Sequence, residues 1–341
     1  MTKITMNANQ VLSSSASVLL AGVVAISAAP FAAQAQQPTV KVDGSSTVFP
    51  IMEVAAAEFQ KANAGTRVTV GVSGTGAGFR KFCAGETDIS NASRPITAKE
   101  MGDCKKNGIS YVELPIAYDG LAVVVHPQNT WTNQLTLPEL KAIWEPGSKI
   151  SNWSQVRPGF PNRPLKLFGA GAASGTFDYF TEAVNGKSKA IRTDFTPSED
   201  DNVLVQGVSR DTGAMGFFGK AYVEENKGRI KAVPIVPPGK TTGVLPTDAN
   251  VQSGAYTPLS RPLFIYVSTK AAARPEVSRF VSFTIQNGAK LAKEAKYVAF
   301  PARAYTQIAT KFTGRRTGTI FGGKEEIGLT IDELLKREAK E

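Results

Sequence analysis

Strand-like and helix-like segments alternate through this chain from residue 39 onward, and no other feature restricts its fold as strongly. Thr39 to Val42 reads as a strand, and Ile51 to Ala62, after Pro50, as an amphipathic helix. Arg67 to Val72 (RVTVGV) alternates with period two, as a half-buried strand does, and Gly78 to Cys83 follows as a helix. A short strand ends at Ile89, and Thr97 to Lys106 is helical, with Thr97 as its cap and Glu100 three positions on. Leu121 to Val125 (LAVVV) and Leu263 to Val267 (LFIYV) are apolar throughout, which predicts strands buried on both faces. Between them, Leu137 to Trp144 predicts a helix with proline in its first turn. Leu165 to Phe168 predicts a strand, and Thr176 to Val184 the helix after it. Strands regularly separated by helices predict α/β layers around a largely parallel sheet. A length of 341 residues exceeds what one hydrophobic core usually serves, so two domains are expected.

The segments between strand and helix share one chemistry. They are Asp43-Gly44-Ser45-Ser46-Thr47-Val48-Phe49-Pro50, Ser73-Gly74-Thr75-Gly76-Ala77-Gly78, Ser90-Asn91-Ala92-Ser93-Arg94-Pro95, and Gly169 to Thr176 with Ser174-Gly175-Thr176 at its end. Each offers small residues, one or more hydroxyls, and then a helix start. A helix N-terminus presents unpaired N–H groups and about half a positive charge. Glycine allows close backbone approach, and serine and threonine add rotatable donors. Ser, Thr and Gly also serve ordinary helix capping. Four such ends in one α/β sheet converge on one crevice, however, and together suit a small tetrahedral oxyanion. The nucleotide P-loop string is absent. Gly169 to Ser174 is one residue from a dinucleotide fingerprint, but it ends in serine and lacks the acidic partner about 20 positions on, so no cofactor is expected.

Composition narrows the classes further. One histidine, His126, excludes a histidine-rich metal site and argues against a Ser-His-Asp triad. It ends a buried strand with no partner in sequence, and so reads as a strand-end residue, and no metal is expected. Lys3, the apolar run Val18 to Ala29 and the small residues to Ala35 form the pattern of a cleaved secretory signal over residues 1–35. The run of about 12 residues is short for a membrane span of roughly 20. Export places Cys83 and Cys104 in an oxidising compartment and favours a disulfide over two free thiols. Closing that loop is worth about 3 kcal/mol in the chain-entropy model.

The strings DGSSTVFPI at 43–51, VSGTGAGFRKF at 72–82, DISNASRPI at 88–96, SGTFDYF at 174–180 and GAMGFFGKAY at 213–222 resemble the periplasmic phosphate-binding proteins of the PstS family. These are the substrate-binding components of phosphate ABC importers, and the resemblance runs from about residue 38 to about 305. It implies an α/β, two-lobed periplasmic-binding-protein fold with strand crossovers forming a hinge and the ligand between the lobes. Lobe 1 would comprise residues 36–118 plus 261–341, and lobe 2 residues 119–260. The implied phosphate ligands are Ser46, Thr47, Val48, Ser73, Ser174, Gly175 and Thr176. The chain departs from the family at Ser93, where members carry an aspartate that accepts a phosphate proton. It departs also at Ala170 and Ala172, where members carry a paired arginine and aspartate. Arg94 beside Ser93 is then the expected cation, and Asp43 and Asp119 are the candidate proton acceptors.

The resemblance implies a monomeric periplasmic receptor without enzymatic activity, whose partners are inorganic phosphate and a membrane permease. A receptor for sulfate or another oxyanion, or a phosphatase, are the alternatives. Asp200-Asp201 after Glu199 has no histidines near it and reads as a solvated turn into a helix. The net charge of +10 resides mainly in residues 261–311, with nine basic against two acidic side chains. The ligand loops are nearly neutral by comparison, so the excess predicts a stretch separate from the site. Aromatic residues there read as core, and nucleic acid is not an expected partner.

Overall fold

The computed structural model describes residues 37–340. The expected signal peptide lies outside the described residues. Eleven strands are present among them: β1 (Thr39–Gly44), β2 (Arg67–Val70), β3 (Ile89–Ala92), β4 (Tyr111–Val125), β5 (Leu135–Thr136), β6 (Lys166–Ala170), β7 (Thr196–Ser198), β8 (Ala214–Gly219), β9 (Lys231–Ala232), β10 (Ile235–Val236) and β11 (Ser260–Ser268). Nine form one sheet in the order β2-β1-β3-β11-β4-β8-β6-β7, with β9 also paired to β4, while β5 and β10 pair apart.

β4 is the spine of this sheet. Its 15 residues are buried throughout. Tyr111 to Gly120 pair with β11, and Leu121 to Val125 pair with β8. One strand therefore belongs to both halves of the sheet, and the apolar string LAVVV is the part that enters the second half. The outer strands are parallel, as the alternation predicts: β2, β1 and β3 on one side, β8, β6 and β7 on the other. The centre is not, because β11 runs antiparallel to both β3 and β4, and β4 antiparallel to β8. The expectation of a largely parallel sheet thus holds only for the outer strands. β11 comes back to β4 only after the whole second half of the chain, and it enters the sheet in the direction opposite to both of its neighbours.

The helices that matter to the site begin within three residues of where the sequence places them, the first at Phe49 rather than Ile51 and the second at Thr75 rather than Gly78. They are α1 (Phe49–Ala62), α2 (Thr75–Cys83), α3 (Ala98–Lys106), α4 (Leu137–Trp144), α5 (Gly175–Asn185) and α6 (Asp201–Ser209). Thr97 and Glu100 form the reciprocal capping box at α3. α2 starts after Gly74, whose φ of +83° suits glycine and turns the chain sharply into the helix. Cys83 at the end of α2 is bonded to Cys104 in α3. His126 follows β4, and its Nδ1 accepts from the Gln128 amide at 3.1 Å.

The core lies on the two faces of the sheet. In the first half Phe59 of α1 packs edge-on against Phe280 at 5.3 Å. In the second, Trp144 of α4 meets Phe217 edge-on at 5.0 Å, and Phe180 of α5 stacks on the same ring at 3.9 Å. Each such ring contributes roughly 1.5–3 kcal/mol by leaving water, which holds the starts of α1 and α5 in fixed positions against the sheet.

Candidate functional site

The four strand-to-helix junctions meet at the carboxyl ends of the strands. The β1–α1 turn is held by the Ser45 amide donating to Asn91 O at 3.0 Å, and it buries Ser46, Thr47 and Val48. Gly44 takes a φ of +138°, and a Cβ on it would stand 2.2 Å from Asn91 O. Opposite, Ser174 caps α5 by accepting from the Thr176 amide at 3.1 Å. That cap brings the Thr176 Oγ1 to 3.0 Å from Thr47 Oγ1, across 129 positions of sequence.

The second and third junctions close against the fourth. Thr75, the first residue of α2, is fully buried, with its Oγ1 3.2 Å from Ser93 Oγ and accepting from the Ser93 amide at 3.3 Å. The Gly76 amide donates to Ala173 O at 2.9 Å, so the β2–α2 junction touches the β6–α5 junction directly. Gly175 sits in the gap: a Cβ there would lie 2.5 Å from Ser93 Oγ and 2.6 Å from Thr75 Oγ1. Of the expected ligand residues, Ser46, Thr47, Val48, Ser93, Arg94, Ser174, Gly175 and Thr176 are all buried around this meeting point.

Ser73 and Asp43 stand apart from it. The Ser73 hydroxyl donates to Asp43 Oδ1, and Lys81 Nζ donates to Asp43 Oδ2 at 2.7 Å. Both oxygens of that carboxylate are engaged. Thr75 supplies the buried hydroxyl of this junction, two residues beyond the serine that the resemblance points to.

The cation at the centre is Arg261 of β11. It pairs across the ladder with Asp119 of β4 and is 1% exposed. Its Nη2 donates to Thr176 Oγ1 at 2.7 Å and reaches Asp119 Oδ2 at 3.3 Å and Thr47 Oγ1 at 3.4 Å. Its Nη1 donates to Gly175 O at 3.0 Å, and Tyr179 lies under the guanidinium at 5.5 Å. Arg261 heads the basic stretch 261–311, so that stretch begins inside the cluster, contrary to its reading as separate. The sequence signal was weak: one arginine before an apolar strand, brought here only by the β4–β11 ladder.

Arg94 faces carboxylates. Its Nε donates to Asp178 Oδ2 at 2.7 Å. Nη1 and Nη2 hold Glu100 at 2.9 and 2.8 Å, and Nη1 also donates to Pro95 O at 3.0 Å. Burial alone would lower its pKa, but the hydrogen bonds and charges of Glu100 and Asp178 outweigh that and raise it.

Asp201 corrects the reading of a solvated acidic turn. Asp200 stays exposed and caps α6, accepting from Asn202 N at 2.9 Å. The next residue turns inward and is 1% exposed. Burial pushes the Asp201 carboxyl up to about 8; Arg261 opposes this, and Asp119, Asp200 and Glu199 add to it. Burial likewise raises Asp119, against Arg261 and Lys220. Several buried polar atoms around the cluster have no hydrogen-bond partner: Asp119 Oδ1, both Asp201 oxygens, Arg261 Nε and Tyr297 OH. A Cβ on Gly219 would stand 3.4 Å from Tyr297 OH and 3.6 Å from Asp119 Oδ2, which places these groups at one wall. The arrangement offers one guanidinium, several hydroxyls and two carboxyls to a small polar guest.

Comparison with known proteins identifies the family. Residues 29–287 match the PBP superfamily domain. Protein SphX of Synechococcus elongatus is 52% identical over 308 residues, 90% of either chain. The phosphate-binding protein PstS of Staphylococcus saprophyticus is 39% identical over 276 residues, 80% of this chain and 83% of that one. An ABC-type phosphate transport receptor from Vibrio cholerae, known by crystal structure, superposes with a TM-score of 0.59 at 26% identity, covering 77% of this chain and all of that one.

Proposed function

The chain belongs to the PBP superfamily, in the family that includes SphX and the phosphate-binding protein PstS, and from that membership we propose that it is an exported, monomeric receptor. In this reading it binds inorganic phosphate between two lobes and delivers it to the permease of an ABC importer in the periplasm. The observation that carries the reading is Arg261, a buried cation bonded to hydroxyls from both halves of the sheet, Thr47 and Thr176. The lobes are residues 36–118 with 261–341, and 119–260. The change of partner along β4 from β11 to β8 near Gly120 supports that division.

Thr47, Thr75, Ser93, Ser174 and Thr176 supply hydroxyls in this site, helped by the amides of Ser46, Val48 and Gly175, and Arg261 supplies the charge. Ser73 and Arg94 stand behind them. Charge-assisted hydrogen bonds contribute roughly 1.5–3 kcal/mol each. Micromolar affinity needs about 8 kcal/mol, so a handful of them suffices after the cost of closure. An ionised carboxylate can only accept, so Asp119, held against Arg261, favours an anion that brings its own hydrogens. Phosphate does so at neutral pH, and sulfate does not.

Calorimetry tests the reading. Unaltered protein titrated with phosphate gives 1:1 binding at micromolar affinity or better, and sulfate binds at least about 100-fold more weakly. Arg261→Ala abolishes the phosphate heat. Equal affinity for sulfate, or unchanged binding by that variant, would sink the assignment. No catalysis is part of the reading, so sustained p-nitrophenyl phosphate turnover that Ser174→Ala removes would count against it.

A further inference from the structure

We propose that Arg94 is a positioning residue, a latch that holds the phosphate site closed through Asp178 without touching the ligand. The inference rests on the phosphate-receptor reading and assigns a role to a buried charge cluster beside the site. Arg94 follows β3 in the first half of the sheet, directly after Ser93. Asp178 lies in the first turn of α5, in the second half, two residues after Thr176. Their 2.7 Å ion pair, with both side chains nearly out of solvent, therefore joins the two walls of the site.

Glu100 prepares the latch. Its carboxylate belongs to the α3 capping box, accepting from the Thr97 amide and hydroxyl, each at 2.9 Å. It also grips Arg94 by both terminal nitrogens. The guanidinium is thus fixed within the first half of the sheet, with its Nε edge turned toward Asp178. Of Arg94's contacts only the one with Asp178 crosses between halves, so that is the contact of Arg94 that breaks when they separate.

Charge balance makes the latch consequential. Arg94, Glu100, Asp178 and Glu325 line one cavity of about 570 Å³. Glu325 Oε1 is buried without a hydrogen-bond partner. Lys189 approaches Asp178 only at 3.8 Å and is mostly exposed. Arg80, Lys99, Lys189 and Lys324 also line that cavity, but the short pairs to Glu100 and Asp178 are those of Arg94. Removing it leaves Glu100 and Asp178 without their shared cation where the walls meet. Breaking a buried pair from one side strands the remaining charge, a large penalty that separation of the walls relieves. The open state is thereby favoured and bound phosphate is released faster, whereas an open cleft still admits it. Such changes fall on dissociation more than on association.

Stopped-flow kinetics with inorganic phosphate, followed by tryptophan fluorescence, test this. Asp178→Asn keeps the shape and is expected to release phosphate about tenfold faster, with association within about threefold of the unaltered protein. Arg94→Ala is expected to release it at least about 100-fold faster, and Arg94→Lys to fall between. In the Asp178→Asn background the Arg94→Ala effect shrinks, because the crossing contact is already lost. Small-angle scattering of Arg94→Ala in saturating phosphate shows a larger radius of gyration than the unaltered complex. Failure of the unaltered protein to bind phosphate overturns both the receptor reading and the latch. Normal binding, with release from Asp178→Asn as slow as from the unaltered protein, overturns the latch alone.

Discussion

Single residues of this protein act through what they exclude as much as through what they bind. Gly175 is the sharpest instance, since a methyl group there would overlap the hydroxyls of Ser93 and Thr75. Both hydroxyls hang from fixed junctions and have little room to retreat. Gly175→Ala is therefore expected to weaken phosphate binding by about 100-fold or more by propping the junctions apart, while the melting temperature falls by only a few degrees; titration calorimetry beside a thermal melt separates the two effects. Thr47 and Thr176 were legible in sequence because each lies within two residues of a helix start. Thr75 was not, because Ser73-Gly74-Thr75 offers two hydroxyls and only the positive φ of Gly74 decides which one turns inward. Asp201 was misread for a related reason: of two adjacent aspartates, one caps the helix and the other is buried, and their order is a matter of local geometry.

At the level of elements, the chain supports α2 and α3 twice over. The capping box fixes the start of α3, and the Cys83–Cys104 bond ties it to the end of α2. A bond closing 21 positions constrains the unfolded chain by about 3 kcal/mol. The Cys83→Ser, Cys104→Ser double variant should lose stability of that order in urea titration, and a loss below about 1 kcal/mol would show the bond to be incidental. Thr97→Ala removes the cap and should cost about 1 kcal/mol. It also takes one donor, the Thr97 hydroxyl, from Glu100, so phosphate release by that variant should quicken while its helix content is retained. These helices were readable from sequence because caps, prolines and apolar spacing are local signals.

The whole molecule buries more charge than its composition suggests. Burial raises the carboxyls of Glu113 to about 7 and of Asp201 and Glu325 to about 8. Their ordinary values are 4.5, 3.8 and 4.5. Folding therefore favours their protonated forms. A raised carboxyl stabilises the fold relative to high pH: its contribution is complete below the unfolded value and is lost as pH climbs through the folded one. Phosphate-free protein is accordingly expected to melt several degrees lower at pH 9 than at pH 6, with part of the difference removed by Asp201→Asn. A melting temperature that is level or rising over that range would contradict the burial of these groups as ionisable acids. The basic stretch 261–311 also looks different at this scale. Arg261 is taken into the site, Arg274 pairs with Asp88 and Glu276, and Lys290 with Glu58 and Glu294.

The sequence by itself determined the alternation of strands and helices, the kind of loop between them and the family of the chain. It did so because capping residues, apolar period and short motifs act over a few positions. The tertiary structure decided the rest: that β11 returns antiparallel through the centre of the sheet, that Arg261 meets Asp119, and that Arg94 finds Asp178 across 84 positions. A side chain's charge is written in the sequence. The charge it answers to depends on which strands lie side by side, and pairing between distant strands leaves no mark within either one.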